Sequence, residues 1–292
     1  MEKDKHKVSV IIPNYNRKRY LERLLPSIAN QTFVDYEVII IDDFSPDKSA
    51  VEYIRYFIKD RKNMRLVENT ANIGFVKTCN KGIMLASGEY LCILTNDTEV
   101  KKDFIERNMA ILDTDSSIGV LSCIIVDQYG NNWFTGGLIK AGFFINLKDD
   151  FTGVRKVDFI AGTAAFYRRE LFNKVGLLNE YFYMYHEDVE FCLRLKNETN
   201  YIALMFADKL VTHYTGLASL AHKQLLYYIH RNHILILKSY FPKYIPRAIF
   251  HYSREIVNLL FMSVSKLRPS YVLLTFHIIG GTFNGLIRGQ NG

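Results

Sequence analysis

The stretch Glu37–Asp47 reads EVIIIDDFSPD. Val38 to Ile41 form an unbroken β-branched run, with none of the alternation expected of a strand that has one wet face. Such a run reads as a strand buried on both sides, which belongs in a parallel sheet between layers of helix. It ends on two adjacent carboxylates, Asp42 and Asp43. The carboxyl ends of the strands are where sheets of this kind bind ligands. Working outward, VSVIIP (Val8–Pro13) is a second such run. The pattern Tyr20, Leu21, Leu24, Leu25, Ile28 predicts a helix between the two. Ser45 reads as an N-cap with Pro46 at the first helical position, and Val51, Ile54 and Ile58 supply that helix's apolar face. A third strand is expected over residues 64–67, a helix over 72–86 and a fourth strand over 90–94. The first hundred residues therefore alternate β and α, and polar clusters follow three strands: Asn14–Asn16, Asp42–Asp43 and Asn96–Asp97.

The region 118–156 has short strand signals and glycine-rich turns, which predicts mixed or antiparallel β structure. Residues 158–167 lead into a helix. Another helix is expected over 187–196 and a strand over 201–206. The chain has 292 residues, ample for one large domain with an appendage. Its charge of +7 is unevenly spread. From Ala221 onward there are nine Lys/Arg and one acid, Glu255, so the last 72 residues carry the whole excess. Between Pro246 and Pro269, Arg247, His251, Arg254, Asn258 and Ser265 share one helical face. Ile249, Phe250, Ile256, Val257, Leu260, Phe261 and Val264 fill the rest. A cationic stripe beside a broad apolar face suits a helix lying on an anionic membrane surface, and these charges are too interleaved with aliphatic residues for nucleic acid. Residues 269–287 lack Lys, Arg, Asp and Glu, yet His277, Asn284, two threonines and three glycines argue against a span. The four cysteines show no CxxC spacing and read as buried thiols of a reducing compartment. No secretory leader is recognisable, so a cytoplasmic location at the inner face of the cell membrane is expected.

Carboxylates and amides at three strand ends, with the later cluster His186-Glu187-Asp188, suit an anionic ligand held through a hard divalent ion. Each cluster alone has a plainer reading. Asp42 and Asp43 can cap a turn, Asn96-Asp97-Thr98 can start the helix expected near Lys101, and His213 can be a core histidine. No GxxxxGK[ST], GxGxxG or GxSxG is present, so neither standard phosphate loop nor a serine hydrolase has support.

In order, VSVIIPNYN, EVIIIDDFSPD, NIGFVKTCNKGIMLASGEYLCILTNDTEV, FIAGTAAFYRRELFNKVGLLNEYFYMYHEDVEFCLR and VTHYTG resemble family 2 glycosyltransferases of the GT-A fold, in form closest to the rhamnosyltransferase-like branch. The resemblance covers residues 7–215. It implies an α/β catalytic domain over 1–219, with a nucleotide-sugar half (1–115) and an acceptor half (116–219), followed by a basic helical tail (220–292). It implies that Pro13, Tyr15, Asn16 and Asp43 line the base and ribose pocket, and that Asn72, Gly74, Lys77, Asn80 and Asn96 border the nucleotide. Asp97 matches the last Asp of the family's DxD motif, which holds Mn²⁺ or Mg²⁺ on the diphosphate. Here the motif reads Thr95-Asn96-Asp97, without its first Asp. His213 falls where some members supply a second metal ligand. Asp188 matches the general base of an inverting transferase, with Glu187, His186, Glu190 and Arg194 supporting the acceptor site. The implied substrates are a dTDP- or UDP-linked sugar, L-rhamnose or a hexose, and a lipid-linked saccharide acceptor in cell-surface polysaccharide assembly. A processive synthase is excluded, because its QxxRW motif needs a tryptophan and this chain's one tryptophan is Trp133. A catalytically silent sugar-nucleotide or polysaccharide binder of the same fold is the alternative.

Overall fold

The computed structural model describes residues 6–214, 223–265 and 270–288. The two β-branched runs become β1 (Val8–Asn14) and β2 (Tyr36–Asp42), and every residue of both is buried. β3 (Met64–Glu68) and β4 (Tyr90–Leu94) complete a parallel array ordered β3-β2-β1-β4. The helices α1 (Lys18–Ala29), α2 (Lys48–Ile58) and α3 (Phe75–Leu85) make the crossovers. Fully buried Ile39, Ile40 and Ile41 anchor this half, and truncating any one to Ala costs about 2–5 kcal/mol.

Ser45 is not the N-cap of α2. Its backbone N–H and hydroxyl both donate to the Asp42 carboxylate. A carboxylate at the strand end draws the serine inward, and Pro46 is left outside the helix. Asp47 takes the cap, accepting from Ser49 N. Asn96-Asp97-Thr98 likewise caps no helix. A short strand, β5 (Thr98–Val100), follows directly, and α4 (Phe104–Leu112) starts later.

The sheet continues past β4 with mixed polarity. β11 (Ala164–Arg168), where the sequence suggests only an approach to a helix, runs antiparallel between β4 and β6 (Ile118–Asp127). β12 (Ile202–His213) is twice the expected length and pairs parallel with β6. β7 (Asn132–Phe134) and β10 (Val154–Val157) are antiparallel additions, and β8 (Gly137–Lys140) with β9 (Phe143–Asn146) forms a separate hairpin. α5 (Arg169–Val175) and α6 (Glu187–Glu198) cover this half. All four cysteines are free and buried.

The tail is three helices: α7 (Lys223–Tyr240), α8 (Ile245–Ser265) and α9 (Ser270–Ile287). α7 is part of the body rather than an appendage, since Leu235 and Ile236 are buried in the main core. Its Ile234 and Leu237 join Ala248, Tyr252, Leu259 and Ile278 in a second cluster that holds α8 and α9. The glycines of α9 serve helix packing. A Cβ on Gly281 would lie 2.3 Å from Tyr227 O, and one on Gly285 would lie 2.7 Å from Arg231 O. Among the described residues α9 is the one helix long and apolar enough to cross a membrane by length and composition.

Candidate active site

The parallel half gathers its polar residues at the carboxyl ends of β1, β2 and β4, as the strand endings require. Asn14 donates to Asp42 at 2.8 Å and accepts from Asn96 at 2.8 Å, so the three strand ends are tied by one buried chain of side chains. Asp43 accepts from Ile73 N and Gly74 N, each at 2.9 Å, and from Asn69 at 2.8 Å. Both of its oxygens shape the loop before α3. Gly74 sits at φ +89°, and a Cβ there would come 2.3 Å from the Tyr183 ring, so only glycine lets loop and ring meet. The Tyr183 hydroxyl reaches Asn72 at 3.4 Å. Pro13 is buried, Tyr15 and Lys77 are exposed at the rim, and Asn16 accepts from Asp47 N. Asn80 departs from its expected place at the nucleotide. It is fully buried, and its amide bonds Leu178 N, Leu178 O and the Glu180 carboxylate, tying α3 to the segment that precedes α6.

Asp97 follows β4. Its carboxylate accepts from Thr95 Oγ1 at 2.8 Å and from Arg17 Nη1 at 2.8 Å, and lies 3.4 Å from His213 Nε2. Burial pushes this carboxyl up, but hydrogen bonds from His213 and Thr95 and the charges of His213 and Arg17 outweigh it, and the net direction is downward. β12 delivers His213 here because its last residues pair with β5, His213 opposite Thr98. The Trp133 ring lies tilted against the His213 ring, with centroids 4.2 Å apart. Asp97 and His213 fit a divalent ion as two adjacent donors, one carboxylate and one imidazole. The buried His213 Nδ1 has no partner, and no group of three or more His, Cys, Asp or Glu able to hold a metal is found among the described residues. The remaining positions around an ion would fall to phosphate and water oxygens.

The cluster His186-Glu187-Asp188 sits across the β4–β11 pairing. Leu94 faces Ala164, and Thr95 N donates to Thr163 O at 2.9 Å. Two residues before Ala164, Gly162 N donates to Asp188 Oδ2 at 2.9 Å. The second oxygen of Asp188 accepts from Val189 N at 2.8 Å. Antiparallel pairing thus brings the end of β4, which carries Asp97, and the start of β11, which holds Asp188, to the same edge. The segment that delivers Asp188 is strained: Tyr183, Tyr185 and His186 all have φ between 62° and 66°. None is glycine, and such conformations cost on the order of 1–3 kcal/mol each. Tyr183 lies within electrostatic reach of Asp43 and Tyr15. Tyr185 lies within reach of Glu187, Arg17 and Asp97, so the loop spans both halves.

Burial pushes Asp188 up, and burial together with the Asp188 charge pushes Glu187 up. Glu187 is 5% exposed and its Oε2 has no partner, whereas Asp188 is only partly buried and has two backbone donors. Of the two, Asp188 is equipped to carry the negative charge. Burial, helped by His233 and His230, lowers His186 to about 3, so its imidazole is neutral at pH 7. Glu190 and Arg194 form a buried bidentate pair. Arg194 also donates to Val175 O and Leu177 O, and Tyr240 of α7 donates to Glu190. These two residues fix α6 to its neighbours and do not enter the site.

α7 contributes two residues that belong to none of the sequence motifs. Asn232, fully buried, donates to the carbonyls of Phe182, Met184 and Tyr185 at 2.7–3.1 Å, and Arg231 donates to those of Tyr181 and Phe182. These bonds satisfy the carbonyls that the strained loop turns inward. Within the run His230-Arg231-Asn232-His233 no local pattern marks this role, because the partners are backbone carbonyls that any residue would present.

The sequence matches Glycosyl transferase family 2 over residues 9–176. It is 30% identical over 140 residues to an uncharacterised glycosyltransferase of Haemophilus influenzae, a match covering 46% of this chain and 43% of that protein. It is 30% identical over 121 residues to the amylovoran biosynthesis glycosyltransferase AmsB of Erwinia amylovora, covering 41% of this chain and 40% of that one. The chain thus spans less than half the length of either relative. Among solved structures, the mannosyltransferase PcManGT of Pyrobaculum calidifontis, in complex with GDP-Man and Mn²⁺, superposes with a TM-score of 0.62 at 17% identity, over 97% of this chain and 88% of that one. The fold is GT-A, and a match over more than half its length places the chain in glycosyl transferase family 2.

Proposed function

We propose that the protein is an inverting glycosyltransferase. It moves a sugar, L-rhamnose or a hexose, from a dTDP- or UDP-linked donor to a lipid-linked saccharide at the inner face of the membrane, in the assembly of a cell-surface polysaccharide. The observation that carries this reading is the shared edge: Asp97 beside His213 after β4, and Asp188 braced on Gly162 before β11. The donor's diphosphate belongs at the first pair and its anomeric carbon toward the second. Bound there, Mn²⁺ or Mg²⁺ would be held by Asp97 and His213 and would neutralise the leaving diphosphate. Arg17, already on Asp97, adds positive charge at the same place.

Asp188 takes the proton of the acceptor hydroxyl, whose oxygen forms a bond to the anomeric carbon as the bond to the diphosphate oxygen breaks. One displacement from the opposite face inverts the configuration. The amides of Gly162 and Val189 fix the Asp188 carboxylate, leaving its outward lone pairs free for the incoming proton. Glu187, buried against it and held up by burial, keeps its proton when Asp188 has lost its own, so two charges need not share the site. Tyr185, exposed three residues before Asp188, offers a ring face on which a sugar can stack. The exposed apolar faces of α8 and α9, beside Arg247 and Arg254 of α8, support placement on an anionic membrane. The names of AmsB and PcManGT favour polysaccharide assembly and a manganese-assisted donor.

The test is to incubate the purified protein with dTDP-, UDP- and GDP-linked sugars and follow nucleoside diphosphate release. Release from at least one donor, accelerated by a saccharide acceptor, is expected. Tight donor binding with no release from any of them would favour the silent binder instead.

A further inference from the structure

Arg247, His251 and Arg254 occur at i, i+4 and i+7 of α8, on one exposed face. With Phe143 of β9 and Phe250 they line a cavity of about 380 Å³. Arg247 lies over the Phe143 ring at 5.7 Å, and His251 meets the same ring edge-on at 5.2 Å. Among the described residues no carboxylate pairs with Arg247 or Arg254. The one acid of α8, Glu255, is engaged by His230 of α7 at 3.2 Å. Two guanidinium groups therefore share a concavity with an imidazole, and neither guanidinium has a paired carboxylate among the described residues. Like charges are gathered in this way at a cost, which an anion with several oxygens removes.

Two features narrow the anion. Phe250, on the cavity wall, begins an exposed apolar face that continues through Val257, Phe261 and Val264 of α8 and through Phe276 and Phe283 of α9, each more than 60% exposed. Charge beside so broad an apolar surface is the chemistry of a lipid headgroup region. One wall of the cavity, Phe143, belongs to the strand that packs on the loop before Asp188. Phe144, next to Phe143, packs on His186 at 5.0 Å, two residues before Asp188. Both phenylalanines contact His233 of α7.

We propose that Arg247, His251 and Arg254 bind the phosphate or diphosphate of the lipid carrier to which the acceptor saccharide is attached. This rests on the lipid-linked acceptor proposed above and adds where its phosphate is held. The lipid chain lies along the apolar face of α8 and α9, and the sugar extends past the phenylalanine pair to Asp188. The cradle thus recognises the carrier, while the loop recognises the saccharide.

Vesicle flotation tests it. Wild-type protein and the double variant Arg247→Gln/Arg254→Gln are mixed with phosphatidylcholine vesicles carrying either phosphatidic acid or phosphatidylglycerol, matched in surface charge. Calorimetry with inorganic pyrophosphate runs in parallel. The wild type should prefer phosphatidic acid by about tenfold or more. The double variant should lose that preference while still binding phosphatidylglycerol vesicles through its apolar face. Equal binding of both vesicle types by the wild type overturns the proposal, as does a preference that survives in the double variant. Pyrophosphate binding without any vesicle preference would assign the cradle to a soluble phosphate and also overturn the lipid carrier. Donor turnover on a water-soluble acceptor, measured for both proteins, reports separately on the transferase reading, because neither arginine touches the donor site.

Discussion

Asp188→Asn should leave donor affinity unchanged and lower turnover on the order of 10²-fold or more. The amide keeps the shape of the carboxylate, and its one oxygen can still accept from Gly162 N or Val189 N, so the strained loop keeps one of its two backbone anchors. It has no basicity for the acceptor proton. Glu187→Gln should do less, because Glu187 is buried with its carboxyl pushed up and already carries a proton where Asp188 works. The same direction of shift gives a pH signature. Asp188 is raised above the ordinary aspartate value of about 3.9. The base form therefore disappears as pH falls through that raised value, and turnover should decline well before an ordinary carboxylate would titrate. Steady-state kinetics across pH, with donor affinity by calorimetry, checks both statements. Near-normal turnover in Asp188→Asn, with Glu187→Gln inactive, would reverse the two roles.

Asp97→Asn should weaken nucleotide binding in Mn²⁺ on the order of 100-fold and make the residual binding insensitive to a chelator. The wild type, in contrast, should lose affinity when chelator is added. Asp97 also holds Arg17 at 2.8 Å and sits 3.4 Å from His213, so the amide removes the charge that organises three side chains. A wild type whose nucleotide affinity does not change with chelator would mean that Arg17 alone balances the diphosphate and that no ion takes part.

The parallel half of the fold could be read from the chain because its strands are continuous β-branched runs, and few structures other than a doubly covered sheet accommodate two such runs separated by a helical pattern. The polar edge followed, since Asp42, Asp43, Asn96 and Asp97 come at the ends of those strands. Legibility failed where a side chain chose a partner that its local pattern does not announce. Ser45 carries a cap signature, yet the Asp42 carboxylate three residues earlier captures it. Asn80 stands in a motif associated with nucleotide, yet its partners are Leu178 and Glu180, almost a hundred residues away. Asn232 has no sequence signature at all, because what it binds are backbone carbonyls, which any residue would present. The glycines of α9 read as interruptions of an apolar helix and turn out to be where that helix meets the backbone of α7. Local pattern thus specified strands and their endings, while the contacts that set the acceptor loop depend on chain segments brought together by folding.

The central claim is that the Asp97–His213 pair and the Asp188 carboxylate belong to one site, on either side of the donor's anomeric carbon. A crystal structure with a nucleoside diphosphate sugar and Mn²⁺ tests it most directly. The account predicts the ion bound by Asp97 and His213 and by the diphosphate, with the anomeric carbon facing a cleft whose far wall is Asp188. A nucleotide lodged elsewhere, or a sugar turned so that Asp188 lies on the same side as the diphosphate, would contradict it.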